Sequence, residues 1–313
     1  MIDLIPELRA AGLIHTATPV LRPLTGGVSS EIVLVDERVV VKRALPQLRV
    51  ADEWLADVSR NRYERAYLEY AARVCPGSVP QVVGHGDGWF AMEYLGPGFD
   101  NWKSLMLAGR CEPVHAERAG STLARIHTAS QNEPNLRHAF ATLGNFHQLR
   151  IDPYLLTTGQ RHPDLRFAFD AAAAGLRAAS ECLVHGDYSP KNILVTSDRL
   201  VVLDCEVAWF GDPAFDLAFL LNHLHLKALH LAEPRFEASV TAFLDAYQPS
   251  PQLRQRTARL VLLLMLARVD GKSPVEYLTP GKRERVRQFT TPRIREGVDS
   301  LATIIREWFD ENC

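Results

Sequence analysis

The sequence predicts an α+β protein of two unequal lobes, a small antiparallel β lobe followed by a larger, mainly helical one. Three observations carry this expectation. Short β-branched runs crowd the stretch from residue 30 to 95, Gly96-Pro97-Gly98 then breaks the chain, and most of the remaining sequence repeats its apolar residues at helical spacing. The lobes are therefore expected at 1–95 and 96–313.

Taken in order, Ile32-Val33-Leu34-Val35 and Val39-Val40-Val41, separated by Asp36-Glu37-Arg38, read as a hairpin. A charged, tyrosine-bearing helix is expected from about Ala51 to Val74, stopping near Pro76-Gly77. Two further strands are expected in Val79 to Val83 and Trp89 to Leu95, with Gly84-His85-Gly86-Asp87-Gly88 as the turn between them. Beyond the break, Leu123, Ile126 and His127 share one face of a helix over Ala116 to Ser130. Leu217, Leu220, Leu221 and Leu224 do the same after Pro213. The alanine run Ala171 to Ala174 favours helix, and Leu260 to Ala267 reads as a buried one. In this second part strands are expected only at Ile193-Leu194-Val195 and Leu200-Val201-Val202-Leu203.

Composition excludes several classes. With 313 residues, 47% hydrophobic and 23% charged, the chain is long enough for a sizeable core and ordinary for a soluble protein. Its 35 basic and 37 acidic residues leave a formal net charge of −2, so no general nucleic-acid partner is expected. The longest apolar run is far short of the roughly 20 residues of a membrane span, and the first residues show no signal-peptide pattern. The five cysteines, Cys75, Cys111, Cys182, Cys205 and Cys313, form no CxxC pair. That argues against a disulfide framework or a zinc ribbon and fits a reducing cytoplasm.

The most informative passage is Leu183-Val184-His185-Gly186-Asp187-Tyr188-Ser189-Pro190-Lys191-Asn192-Ile193-Leu194, with Asp204 beyond it. Phosphoryl transfer asks little covalent chemistry of a protein. It needs the nucleotide phosphates screened, metal ions held and the acceptor hydroxyl oriented. Asp187 would accept a hydrogen bond from that hydroxyl. Asn192 can turn its amide oxygen to a metal, and the hairpin from Ile193 to Leu203 returns the chain so that Asp204 faces the same ion. Such hard oxygen ligands suit magnesium bound with ATP. Upstream, Thr25-Gly26-Gly27-Val28-Ser29-Ser30 could cover the phosphates, with Gly26 and Gly27 allowing close backbone approach and Ser29 and Ser30 offering donors. It does not match the P-loop pattern G-x-x-x-x-G-K-[ST].

His185-Gly186-Asp187 with Asn192 resembles the catalytic loop of the aminoglycoside phosphotransferase and choline kinase superfamily. Leu203-Asp204-Cys205-Glu206 followed by Gly211-Asp212-Pro213-Ala214-Phe215-Asp216-Leu217-Ala218 looks like its metal-binding aspartate and the segment after it. The resemblance implies a kinase-like, two-lobed fold and transfer of the ATP γ-phosphoryl group to a small-molecule hydroxyl. It also implies that Asp216 braces the catalytic loop and that His185 orients it. Lys42 resembles the third-strand lysine that holds the α- and β-phosphates. Glu64 lies centrally in the expected helix as its partner, with Glu53 and Glu69 as rivals. Met92, Glu93 and Leu95 lie where kinases of this superfamily bind adenine. Typical protein kinases are disfavoured by Gly186 in place of the arginine of H-R-D, by Cys205-Glu206 after the aspartate, and by the lack of an Ala-Pro-Glu segment.

The superfamily places its acceptor in the helical lobe. Glu206 and Trp209, an acid and an aromatic close behind Asp204, would suit a polyol or amine. Arg268, at the end of the buried helix, is a further candidate, against the alternative that it pairs with Asp270 or caps that helix. His223 and His225 read as packed or surface groups. The chain also resembles the methylthioribose kinase branch in its Val79 to Leu95 passage, its Asp204 to Asp216 segment and the late arginine site, with Cys205 and the short Gly26-Gly27 loop departing from it. A methylthioribose-type sugar kinase and a nucleotide-binding pseudokinase are thus the alternatives.

Overall fold

A computed structural model describes residues 4–24, 30–45 and 58–312. Helix α1 (Ile5–Ala10) leads into a five-stranded antiparallel sheet built from β1 (Leu21–Pro23), β2 (Ser30–Val35), β3 (Val39–Ala44), β4 (Val82–Gly86) and β5 (Trp89–Glu93), in the order β1-β2-β3-β5-β4. The expected hairpin is β2–β3, with Ile32 opposite Lys42. Its turn holds Asp36 and Glu37 in the left-handed region (φ 51° and 54°), and Arg38 N–H closes it onto the Val35 carbonyl at 3.0 Å. That conformation matches the right-handed twist of the strands. Asp36 tolerates it because its carboxylate accepts from the Val20 N–H at 2.8 Å and the Thr16 hydroxyl at 3.0 Å.

Two expectations here need correction. The strand β4 begins at Val82 and includes Gly84 to Gly86, so only Asp87 and Gly88 make the turn. Gly86 stays in the strand because the Trp89 indole folds over it; a Cβ there would lie 2.4 Å from the indole nitrogen. The long helix α2 spans Arg60–Val74 and stops before Gly77 (φ 81°). Val58 and Ser59 are not helical, and residues 51–57 lie outside the described residues.

After Glu93 the sheet ends, and β6 (Asp100–Asn101) already belongs to the second part, where it pairs with β8 (Ile193–Val195). Between them run α3 (Trp102–Leu107), α4 (Pro113–Gln131), α5 (Pro134–Ala139), α6 (Leu143–Phe146), a wide π-type segment His147–Leu156, α7 (Thr157–Arg161), α8 (Arg166–Ala178) and β7 (Cys182–Val184). A 3₁₀ turn at Pro190–Asn192 precedes β8, which turns back as β9 (Leu200–Val202). The strand β10 (Trp209–Gly211) then pairs with β7, a two-stranded ribbon the sequence pattern did not announce. Helices α9 (Ala214–Leu231), α10 (Phe236–Tyr247), α11 (Pro251–Asp270), α12 (Pro280–Glu296) and α13 (Leu301–Asn312) complete the chain.

Apolar burial explains this arrangement. Leu123 and Ile126 of α4, Leu217 to Leu221 and Leu224 of α9, and Leu260 to Ala267 of α11 are all buried in one cluster that also takes in Tyr67 and Leu68 of α2 and Phe90 of β5. Full burial of one such aliphatic side chain stabilises by roughly 1.5–3 kcal/mol, so α2 is fastened to the helical part as well as to the sheet. A smaller cluster, with Leu4, Leu8, Val33, Val41 and Trp89, seats α1 on the other face of the sheet. Among the described residues no helix is long and apolar enough to cross a membrane.

Candidate active site

The strand β7 delivers the chain to His185, Gly186 and Asp187, and the site is built outward from the way these three are held. Both oxygens of the buried Asp216 carboxylate, in the first turn of α9, accept from this loop: Oδ2 from the His185 N–H at 2.7 Å and Oδ1 from the Gly186 N–H at 2.9 Å. His127 of α4 approaches Oδ2 at 3.2 Å through Nε2 while its Nδ1 meets the Tyr247 hydroxyl at 2.8 Å. Asp216 is therefore a brace of the loop backbone, as the resemblance implied. Gly186 has φ 79°, and a Cβ on it would stand 2.7 Å from the Val207 carbonyl oxygen. A glycine is required there by both conformation and space.

His185 is an orienting residue. The Asp187 N–H donates to its Nδ1 at 3.1 Å, which leaves Nε2 as the donor to the Leu203 carbonyl at 3.1 Å. Burial pushes its pKa below the ordinary value despite the acids around it, so the ring is neutral, as that pair of bonds requires. The Asn192 amide donates to the Asp187 carbonyl at 3.0 Å and to its carboxylate Oδ2 at 2.8 Å. With its nitrogen so used, Asn192 has its amide oxygen left for a cation.

Asp187 itself is buried and faces two cations, Arg150 at 3.0 Å and Lys191 at 2.9 Å. Burial opposes its charge, but these two outweigh burial and hold the carboxyl below its ordinary range. Sequence reasoning missed Arg150. It comes from the π-type segment, which contains Pro153, and its Nε also donates to the Gly186 carbonyl at 2.6 Å.

On the sheet side, Lys42 of β3 is buried, with its ammonium 2.8 Å from Glu64 Oε1 and 2.6 Å from Asp204 Oδ1. Glu64 is thus the acid that partners Lys42. Glu69 is instead placed beside Arg65, and Glu53 lies outside the described residues. Asp204 has φ 61°, a conformation that aspartate tolerates better than most residues and that recurs at functional sites. Burial opposes its charge as well, but Lys42 and Lys191 hold its carboxyl well below the ordinary range. Burial pushes Glu64 up, to about 8, against the pull of Lys42. Lys42, costly to bury alone, stays charged because Asp204 and Glu64 face it.

Glu206 belongs to this group. Its carboxylate accepts from Nε of the fully buried Arg60 at 3.0 Å, and oxygens of Glu64, Asp204 and Glu206 lie within 4.8 Å of one another. The structure therefore places Glu206 beside Asp204 and a cation of α2. Clustered carboxylates held by two cations are a hard-oxygen donor set that could hold a divalent magnesium ion. The expectation for Trp209 is corrected. It is buried in β10, stacked on Phe146 with ring centroids 3.5 Å apart and edge-on to Phe215, which removes it from contact with an acceptor.

Arg268 lies on the helical side of Asp187. Its guanidinium donates to the Tyr154 hydroxyl at 3.2 Å and sits over that ring at 5.6 Å, and Arg150 lies over the same ring at 5.8 Å. It does not pair with Asp270, whose carboxylate is taken by Arg287 and His162. His225 is packed between Trp308 and Phe309.

Of the residues expected at adenine, Met92 and Glu93 end β5. The Glu93 N–H is used by the Gln81 carbonyl and the Tyr94 N–H by the Arg38 carbonyl, whereas the Leu95 N–H makes no hydrogen bond among the described residues. Ser30 is buried at the start of β2, with its hydroxyl unpartnered among the described residues. Gly26, Gly27 and Ser29 lie outside the described residues.

A small antiparallel sheet over a helical part, with a His-Gly-Asp loop between them, defines a kinase-like protein. Residues 20–260 match the model of the phosphotransferase enzyme family, and the chain belongs to that family. It is 30% identical to the methylthioribose kinase of Pectobacterium atrosepticum over 218 residues, 61% of this chain and 54% of that protein. It is 29% identical to methylthioribose kinase 1 of Oryza sativa subsp. japonica over 227 residues, 62% and 53% of the two chains. The chain thus spans about half the length of these curated relatives. In fold it is similar to a choline/ethanolamine kinase family protein from Mesorhizobium loti, with TM-score 0.56, 19% identity and 97% and 99% of the two chains covered. It is also similar to APH(2″)-IIa in a ternary complex with streptomycin and ATP, with TM-score 0.53, 17% identity and coverage of 99% and 98%.

Proposed function

We propose that this protein transfers the γ-phosphoryl group of ATP, bound with magnesium, to a hydroxyl of a small molecule. The observation that carries the reading is the convergence of Asp187 on Asn192 at 2.8 Å and of Asp204 on Lys42 at 2.6 Å, two pairs joined by one short hairpin. In this reading the 1–95 and 96–313 lobes hold the nucleotide between them, with Met92, Glu93 and Leu95 at adenine and Gly26, Gly27, Ser29 and Ser30 over the phosphates. Lys42, held by Glu64, screens the α- and β-phosphates. Asn192 and Asp204 hold magnesium, with Glu206 in reach. The ion, when bound, neutralises charge on the phosphate oxygens.

Asp187 orients the acceptor hydroxyl. Because Arg150 and Lys191 keep it ionised, it is a weak base toward a free alcohol. It takes the proton only as the oxygen–phosphorus bond forms and that oxygen becomes acidic, which suits a loose transition state. The four free cysteines among the described residues, all buried, suit a reducing compartment such as the cytoplasm.

A second reading, a methylthioribose-type sugar kinase, is favoured by the similarity to those enzymes over 218 residues. Nucleotide binding without turnover is opposed by the presence of Lys42, Asp187, Asn192 and Asp204 in one constellation. The test is ADP release with a panel of hydroxyl acceptors. Asp187→Ala is expected to lower kcat by roughly 10²–10⁴-fold while leaving ATP affinity nearly intact; undiminished turnover would remove Asp187 from the chemistry.

A further inference from the structure

The helical side of the site carries more positive charge than its own acids answer. Asp187 is matched by Arg150 and Lys191, and Glu276 by Lys103 at 2.5 Å. Lys227 of α9 has no such partner. It is 1% exposed, and its ammonium lies over the Tyr277 ring at 5.2 Å, with no hydrogen bond or ion pair among the described residues. One turn earlier on the same face, His223 is buried with Nδ1 unpartnered. Across from them, Arg268 of α11 has only neutral partners, the Tyr154 hydroxyl and the Ser273 hydroxyl and carbonyl, and its Nε is unpartnered.

These cations are near enough to act on one another. Burial first, then Lys103 and Arg268, pull the Lys227 pKa down to about 7, against the weaker upward pull of Glu276. A buried ammonium whose one neighbouring acid is already paired with Lys103 is costly unless something supplies further negative charge. On an ordinary helix face a solvated position would relieve that cost, but here the lysine is enclosed.

We propose that the acceptor carries an anionic group, a carboxylate or a phosphate ester, held by Lys227 and Arg268 while its hydroxyl faces Asp187. This rests on the phosphotransferase reading above and narrows its substrate class. The geometry is consistent in scale. Asp216, Phe219, His223 and Lys227 form one stripe of α9 at three- and four-residue spacing. Arg150, which touches Asp187, lies over Phe219 at 5.6 Å. Lys227 lies eight residues further, about 12 Å along the axis at 1.5 Å per residue, with its side chain leaning back toward the helix N-terminus. That separation fits a hydroxy acid or sugar phosphate of several carbons. The same charge disfavours polycationic aminoglycosides and quaternary aminoalcohols.

The test is calorimetric titration of the full chain saturated with magnesium and a non-hydrolysable ATP analogue. The probes are D-gluconate, D-ribose 5-phosphate, D-ribose and kanamycin. At least one anionic probe is expected to bind ten or more times more tightly than ribose, with kanamycin unbound; the two anions distinguish carboxylate from phosphate ester. Lys227→Met is expected to lower the affinity for that anion by more than tenfold while raising thermal stability, because an unpaired buried charge is removed. Arg268→Gln should weaken the same anion independently. Ribose or kanamycin binding as well as both anions, no probe binding, or undiminished anion affinity in Lys227→Met would each overturn the proposal. The nucleotide step of the same titration reads the phosphotransferase proposal separately: nucleotide binding without anion preference removes only the acceptor inference, and no nucleotide binding removes both.

Discussion

Replacing Asp216 by asparagine changes one atom of the brace that positions Asp187, and its effect can be worked from the bonds. The carboxylate offers two oxygens, one to the Gly186 N–H and one to the His185 N–H and His127. An amide offers one. If its oxygen stays with His185 and His127, its NH₂ group faces the Gly186 N–H, donor against donor, in a fully buried position. One bond to a charged acceptor is lost, about 1.5–3 kcal/mol, and a buried donor is left unsatisfied, about 1–3 kcal/mol. Removing a buried charge returns part of this, so a net loss of about 3 kcal/mol is expected. For a chain of this size, about 2–4 °C per kcal/mol gives a fall in Tm of roughly 6–12 °C. The displaced loop should also lower kcat, while affinity for ATP changes little, because Lys42 and Asp204 are not attached to Asp216. Thermal melts with parallel measurement of kcat and ATP affinity check this. An unchanged Tm together with an unchanged kcat would refute the brace.

Two further predictions concern charge. Asp204→Asn should weaken ATP binding in the presence of magnesium much more than in its absence, since a neutral amide cannot match a carboxylate on the ion; equal metal dependence in both proteins would contradict the assignment. Arg150→Gln should raise the pKa of Asp187, because one of the two cations holding it down is gone. Activity that depends on ionised Asp187 would then be lost at a higher pH as the solution is acidified. The same sign applies to stability: the ionised Asp187 stabilises the wild type above its unfolded-state pKa, and that stabilisation fades as pH falls through the folded one. An acid limb of kcat that does not move upward in Arg150→Gln counts against the coupling.

The parts of this molecule that are local in sequence were legible in it. His185 to Asp204 is a single loop and hairpin whose residue types and spacing are set by the groups they must bring together, and α9 announces itself by leucine periodicity and α11 by an unbroken apolar run. Lys42 was readable because it ends a β-branched run. What escaped depends on contacts between distant segments. Arg150 reaches Asp187 from a π-type turn around Pro153, where helical periodicity gives no guide to direction. Glu206 was assigned to the acceptor from its nearness to Asp204 in the chain, which gave no sign of its contact with the buried Arg60 at the start of α2. Trp209 was read as a binding aromatic. It lies in a three-residue strand whose partner, Cys182–Val184, is equally short, and runs of that length carry no usable alternation. The unbroken apolar character of Leu183-Val184 and of Val207 to Phe210 was the available signal of a buried ribbon.

The central claim, phosphoryl transfer to a hydroxyl held at Asp187, is tested most directly by following the phosphorus itself. ³¹P NMR of the protein with magnesium and ATP, over a panel of sugars, sugar acids, sugar phosphates, aminoalcohols and aminoglycosides, separates ester formation from hydrolysis. The account predicts that with at least one acceptor a new phosphate monoester resonance grows in step with ADP. That signal should disappear without magnesium and be lost on the same timescale in Asp187→Ala. Formation of ADP and inorganic phosphate alone with every acceptor, or an equal yield of the ester from Asp187→Ala, would contradict it.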